Sequence, residues 1–279
     1  MALVIPEIFA NSLNEQMRLN LKAGSIAFDA TDLVGEIRNA GDTVVFPFLN
    51  RISDASELSD NVEVTPERIS MSELRAVIKE IGQAVRVLDK EEIQIKGGAM
   101  DKLIVQLAQS MSKKVDASLI DSMDAEAVYK VSTSGADTIT TLELNAAIAK
   151  FGDQIDSDTF AGWLINSRLV SDFMNMDAFV STNKTYATEG NGIIKNGIVG
   201  YLYNVPVMVT NNNTFDESTN ECKTYLVKKD SIGYVFQKDI AVEEERLPKL
   251  RATDIVTTSL FATKLLDPKG VVILRKTIA

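Results

Sequence analysis

The 279-residue chain contains no histidine, one cysteine and one tryptophan, and aromatic residues make up only 6% of it. Without histidine the commonest general base at neutral pH is missing, and so is every metal site built on imidazole. A single thiol, Cys222, excludes an internal disulfide, a four-cysteine zinc cage and an iron–sulfur cluster ligated within the chain. With no imidazole to activate it, Cys222 is expected as an interior strand residue. No Gly-Lys-Ser/Thr is present, and Gly190-Asn191-Gly192 with Gly197 follows neither a Walker nor a dinucleotide pattern. There is no Gly-x-Ser-x-Gly elbow, and a serine triad would lack its base. Carboxylate-only hydrolysis needs merely two acids, but an aromatic-lined cleft has little here to be built from. The chain is therefore read as no enzyme, with no cofactor and no metal, a carboxylate-based hydrolase standing as a distant alternative.

Long apolar runs are also missing. Met1-Ala-Leu-Val-Ile-Pro-Glu lacks the basic and apolar regions of a signal peptide, and the greasiest stretches are strand-sized, so no membrane partner is expected. Basic charge is in the minority: 29 Lys and Arg against 39 Asp and Glu give a formal charge of −10. That balance argues against a broad phosphate-gripping face, and Lys113-Lys114 and Lys228-Lys229 read first as solvated surface. What is plentiful is core material, since 45% of the residues are hydrophobic.

Along the chain, Leu13, Met17 and Leu21 give an N-terminal arm one apolar stripe. It is too thin to fold alone, so it must lie on this chain's body or on a neighbour. Gly41-Asp42 starts a strand through Val44, Val45 and Phe46, with Pro47 pointing to an edge. Arg51 to Arg68 is a long polar stretch, suggesting a projecting β hairpin. Leu74, Val77, Ile78, Ile81, Val85 and Leu88 fall at helical spacing, yet Gly82 interrupts them and Val85 to Leu88 suits a strand. Leu103, Leu107, Met111, Val115, Leu119 and Met123 recur every four residues and predict a helix from Ala99 to Val128, roughly 40 Å long. Thr140 and Glu143 form a capping-box signature ahead of Leu144, Ile148 and Phe151. Trp163-Leu164-Ile165 reads as a buried strand, with Leu169, Phe173 and Met176 on a short helix after it. Ser181 to Asn196 reads as loop. Tyr203 to Thr210, Thr224 to Val227, Ile232 to Phe236 and Ile240 to Val242 read as short strands. At the end, Ile255 to Leu266 and Val271 to Leu274, joined by Asp267-Pro268-Lys269-Gly270, predict a hairpin.

Three acidic groupings stand out. Asp153, Asp156 and Asp158 lack the oxygen-rich loop and distal glutamate of an EF hand, and read as a solvated connection. Asp54, Glu57 and Glu63 lie between Arg51 and Arg68 in the long polar stretch. Glu243, Glu244 and Glu245 beside Arg246, Lys249 and Arg251 suit intersubunit pairing and a plain solvated face equally well.

Four passages carry a likeness: Gly41 to Pro47, Ile78 to Asp89, Gly200 to Val209, and Asp267 to Val272. In their order and spacing the chain resembles tailed-phage major capsid proteins of the Hong Kong 97-type shell fold. The resemblance implies an α+β fold with an N-terminal arm (1–40) and an extended β-hairpin loop (41–81). It further implies a peripheral domain on a long backbone helix (82–134), an axial domain (135–250) and C-terminal strands returning to the peripheral domain (251–279). It favours strand rather than helix as far as Ile81. It implies a structural subunit of an icosahedral bacteriophage capsid, in the virion and in host cytoplasm during assembly. Its partners would be copies of itself in pentamers and hexamers, portal and decoration proteins, and packaged double-stranded DNA touched weakly and nonspecifically. The acidic loop would overlie a neighbour's backbone-helix domain, with Arg51, Asp54, Glu57, Glu63 and Arg68 as candidate intersubunit charges. Some relatives weld the shell through a lysine in the extended loop. Residues 42–78 contain no lysine, which implies a noncovalent shell. The chain starts almost at the arm, which implies a separate scaffolding protein or none. An encapsulin-type compartment shares the fold and is the nearer alternative.

Overall fold

A computed structural model of the chain describes residues 6–31, 42–49, 57, 66–90, 99–133, 137–153, 159–181 and 197–278. In chain order the helices are α1 (Pro6–Asn20), α2 (Ala23–Ile26), α3 (Ala99–Glu126), α4 (Thr141–Ile148) and α5 (Val170–Asn175). The strands are β1 (Phe28–Asp29), β2 (Thr43–Leu49), β3 (Met71–Val77), β4 (Lys79–Leu88), β5 (Tyr129–Ser132), β6 (Phe160–Ile165) and β7 (Phe179–Ser181). They continue as β8 (Ile198–Leu202), β9 (Val205–Val209), β10 (Phe215–Asp216), β11 (Glu221–Lys228), β12 (Ile232–Leu247), β13 (Ala252–Leu265) and β14 (Val271–Thr277).

The four-residue apolar repeat makes α3 the shaft of the molecule. Leu107, Met111, Val115, Leu119 and Met123 are buried along one stripe, and Ala108 and Ile120 widen it. Two sheets share that stripe. The first has the order β1-β12-β13-β4, the second β5-β14-β11-β6-β9-β8-β7 with β10 on β11. Ile81, Ile255, Phe261 and Tyr234 of the first sheet join the same core as Leu164, Tyr225, Val271 and Ile273 of the second. On the second sheet's other face, Trp163, Leu202, Val207, Leu226, Val272 and Leu274 pack with Leu144 and Ala147 of α4 and Phe173 of α5. Cys222 is buried there too, as expected.

The arm lies on this chain's own body. Phe9, Leu13 and Met17 of α1, with Leu21 just past its end, are buried in the core that α3 and β12 share. Asn14 bonds both backbone groups of Ile240, accepting from its N–H at 3.0 Å and donating to its carbonyl at 3.5 Å. Ile240 sits where the β12–β13 register slips, so the amide replaces ladder bonds that the bulge forfeits.

The ambiguous segment is two strands, β3 and β4, broken only at Ile78. In β4 Ile81, Val85 and Val87 face the core, a period of two. Helical spacing would put Val77 inside with Leu74 and Ile78, whereas the strand leaves Val77 64% exposed. β4 also crosses residue 81, where the extended loop was expected to end. The expected short strands Ile232–Phe236 and Ile240–Val242 are one 16-residue strand, because the bulges between Phe236 and Ala241 break its apolar alternation.

The C-terminal hairpin expectation is corrected. The turn forms, with Gly270 N–H bonded to Asp267 O at 2.9 Å and Lys269 N–H to Asp267 Oδ1 at 2.9 Å. The flanking strands do not pair: β13 lies between β12 and β4, and β14 between β11 and β5. The Ser231 carbonyl accepts the N–H of Leu266 at 2.7 Å and of Asp267 at 3.1 Å, while Lys228 N–H bonds Gly270 O at 2.9 Å. The turn is thus stitched to the β11–β12 junction. Gly270 is required there, since a Cβ would collide with the Ser231 side chain.

Candidate interaction surfaces

The extended hairpin β2–β3 has an anchored face and a free one. Val44, Phe46 and Ala76 are buried with Ala30, Val235 and Ala262, on the side of the first sheet away from α3. On the opposite face of β3, Met71 and Val77 are 70% and 64% exposed, and Ile69 just before it 65%. Glu73 and Arg75 lie between them and pair at 3.6 Å. A row of large apolar side chains flanking one charge pair is a surface prepared for contact rather than for water. Sequence reasoning missed it because at helical spacing Val77 counted as core. Of the charges predicted nearby, Glu57 and Arg68 are exposed. Arg51, Asp54 and Glu63 lie outside the described residues, as do Asp156 and Asp158; Asp153 is exposed in a turn.

The structure brings the second predicted group together. Glu243, Glu244, Glu245 and Arg246 end β12, exposed beyond Val242, and Arg251 turns the chain into β13 with φ at +50°. Beside them Arg86 meets its cross-strand neighbour Asp254 through two bonds, 2.7 and 2.8 Å. Arg246 reaches Asp89 with Nη2–Oδ2 at 2.7 Å and also touches Thr253 Oγ1 at 3.1 Å. The Arg246 hydrogen bond holds the Asp89 carboxyl below its usual range, and the Arg86 hydrogen bond does the same for Asp254. The tip is a rigid, bidentate charge lattice with both signs displayed, and three glutamates remain on its rim.

A third surface runs between β4 and α3. Glu80, Gln83, Gln109, Lys113 and Lys114 border an open groove of about 660 Å³, with Met111 at its base.

Behind these surfaces the helices are tied down by buried and half-buried polar groups that the sequence did not reveal. Asp124 near the end of α3 accepts from Lys223 of β11 at 2.7 Å and Arg275 of β14 at 3.2 Å. On the other face of β14, Lys276 bonds both carboxylate oxygens of Glu143, at 3.0 and 3.3 Å. Glu143 is the capping-box residue of α4, accepting from Thr140 N–H at 2.8 Å. The box was legible; its partner 133 residues away was not.

Asp116 on α3 accepts the backbone N–H of Lys22 at 2.9 Å and of Gly24 at 3.0 Å, hanging the arm on the shaft. Burial pushes its pKa up to about 6, outweighing those donors and Lys22. A folded-state value above the ordinary aspartate range means the native state takes up the proton first. This group's contribution to stability therefore grows as pH falls through about 6 and levels off below the ordinary range. A shift of this size is worth at most about 3 kcal/mol. Urea midpoints of wild type and Asp116→Asn at pH 7 and pH 5 test this. Wild type should gain on the variant on acidification; a parallel pair of curves would refute the assignment.

Residues 72–274 match the family described as phage capsid protein. No curated protein matches the sequence. Among solved structures the chain is similar to the capsid of cyanophage P-SCSP1u at 15% identity and TM-score 0.63, covering 91% of this chain and 87% of that one. It is similar to the capsid of Ralstonia phage GP4 at 12% identity and TM-score 0.64, covering 90% and 87%. A Mycobacterium phage Che8 chain is similar at 14% identity and TM-score 0.61, covering 90% of each.

Proposed function

This chain belongs to the phage capsid protein family, and from that premise we propose that its copies meet as pentamers and hexamers in an icosahedral shell around double-stranded DNA. Its role is structural and non-enzymatic, as a subunit of the multi-copy virion capsid. The observation that carries this is the family match across residues 72–274, which takes in the hairpin's second strand, the shaft and both sheets.

The finer reading assigns 1–40 to the arm, 41–81 to the extended loop, 82–134 to a peripheral domain, 135–250 to an axial domain and 251–279 to the C-terminal strands. Assembly in host cytoplasm, with a separate scaffolding protein or none, portal and decoration proteins, and weak contact with packaged DNA belong to the same proposal. So does a noncovalent shell. Arg51, Asp54, Glu57, Glu63 and Arg68 would lie over the neighbouring copy's backbone helix. Two observations support that docking: the segment's acidity, and the sign of Lys113 and Lys114 on the open β4–α3 groove. Glu243, Glu244, Glu245, Arg246 and Arg251 would meet a neighbour at the β12–β13 tip.

Reversing charge at that tip tests the second contact. With Glu243→Lys and Glu244→Lys together, the sedimenting, assembled fraction should fall about tenfold. The stability of the isolated chain should stay within about 0.5 kcal/mol, since both sites are exposed. Unchanged assembly would leave the tip a solvated face.

A further inference from the structure

Between α4 and the second sheet lies a partly open pocket of about 430 Å³, within the roughly 300–1,000 Å³ of small-molecule sites. Trp163, Leu202, Val205 and Leu226 line it at 0–4% exposure, and Ile148 of α4 closes one side. Among the described residues no charged side chain contributes to the lining. Its lip is polar: Tyr203 Oη donates to Asn145 Oδ1 at 2.7 Å. Tyr203 and Asn204 have φ of +51° and +65°, forming the tight two-residue turn between β8 and β9. The backbone of the lip is therefore fixed. The pocket is open on this side, with the Tyr203 side chain, 44% exposed, at its rim.

We propose that this cavity is a binding site for a compact, uncharged aromatic or alicyclic molecule, seated on Trp163 beneath the Tyr203–Asn145 lip. Apolar walls of this kind offer water few partners and gain packing from any apolar guest that fits. A charged guest would be desolvated with nothing to pair with. A bound molecule touches α4, β6, the β8–β9 turn and β11 at once, so occupancy stiffens this end of the protein and raises its melting temperature by linkage.

Trp163 is the chain's sole tryptophan, which makes it a built-in reporter. N-phenyl-1-naphthylamine, uncharged and absorbing where tryptophan emits, is the probe. The full chain should bind one molecule saturably, with quenching of Trp163 emission and energy transfer to the probe. The anionic 8-anilinonaphthalene-1-sulfonate should bind at least about tenfold more weakly. Val205→Phe and Ile148→Phe each fill the cavity, the second from a half-buried position with more room to adjust. Either variant, shown folded by circular dichroism, should weaken binding about tenfold or more. The proposal is overturned if the probe binds without quenching Trp163, if it fails to saturate, if the sulfonate binds as tightly, or if the folded filling variants bind like wild type.

Discussion

Lys276→Ala is expected to destabilise the isolated chain by about 3–5 kcal/mol, the range for stripping one partner from a buried ion pair. Lys276 is 2% exposed, near the end of a strand covered on both faces. Its alternation splits the load. Val271 and Ile273 face α3, where Arg275 ends the row on Asp124, and Val272 and Leu274 face α4, where Lys276 ends it on Glu143. Removing the lysine leaves a carboxylate at 13% exposure with only its cap donors, and loosens α4 from the sheet together. The double variant Lys276→Met with Glu143→Gln should recover part of the loss, because no unpaired charge remains. Acid supplies an independent check. Burial alone pushes the Glu143 carboxyl up, but Thr140 N–H and Lys276 together hold it below the ordinary glutamate range. A depressed folded-state value means that stability is present above the ordinary range and is lost as pH falls through the folded value. Urea midpoints measured down the acid limb should show that loss in wild type and a diminished one in Lys276→Ala. A variant as stable as wild type at neutral pH would refute this account of the pair.

The second large effect concerns assembly rather than folding. Met71→Glu with Val77→Glu should abolish particle formation while leaving the isolated chain within about 0.5 kcal/mol of wild type. Both side chains stand on the free face of β3, so the single chain loses no core by the change. In a shell, each large apolar side chain withdrawn from water contributes about 1.5–3 kcal/mol, and the contact repeats under symmetry. Ala76→Glu is the contrast. It points into the anchored face at 4% exposure and should destabilise the isolated chain itself. Sedimentation and chemical denaturation of the three proteins separate the cases, and normal particles from the Met71/Val77 variant would show that this face meets no neighbour.

How far the sequence could be read depended on whether a signal was local. The α3 repeat and the Thr140–Glu143 cap are each complete within a few turns of chain, and both are found as expected. The Asp267–Gly270 turn was equally local and equally right, but pairing of its strands is decided elsewhere. Ser231 and Lys228 of the β11–β12 junction take the turn's backbone groups and send β13 and β14 to different sheets. The period count at Leu74 to Leu88 left helix and strand both open, because six apolar residues in fifteen fit a helix on paper, and the resemblance rightly favoured strand as far as Ile81. Cross-strand pairing with β2 and β13 overrides that spacing. Among the candidate interface charges, Glu243 to Arg246 were found by their density. The hydrogen-bonded partners that give the tip its rigidity, Asp89, Arg86 and Asp254, come from other parts of the chain. Asp116, Asp124 and Lys276 carried no local mark at all, since burial is what distinguishes them from surface charges.

The central claim is that copies of this chain close over one another's exposed hairpin faces to make a shell. Electron cryomicroscopy of the purified protein, at low and at high concentration, tests it most directly. The account predicts closed particles with Ile69, Met71 and Val77 buried against an adjacent subunit. Particles that leave this face in solvent, or a compact monomer under both conditions, would contradict it.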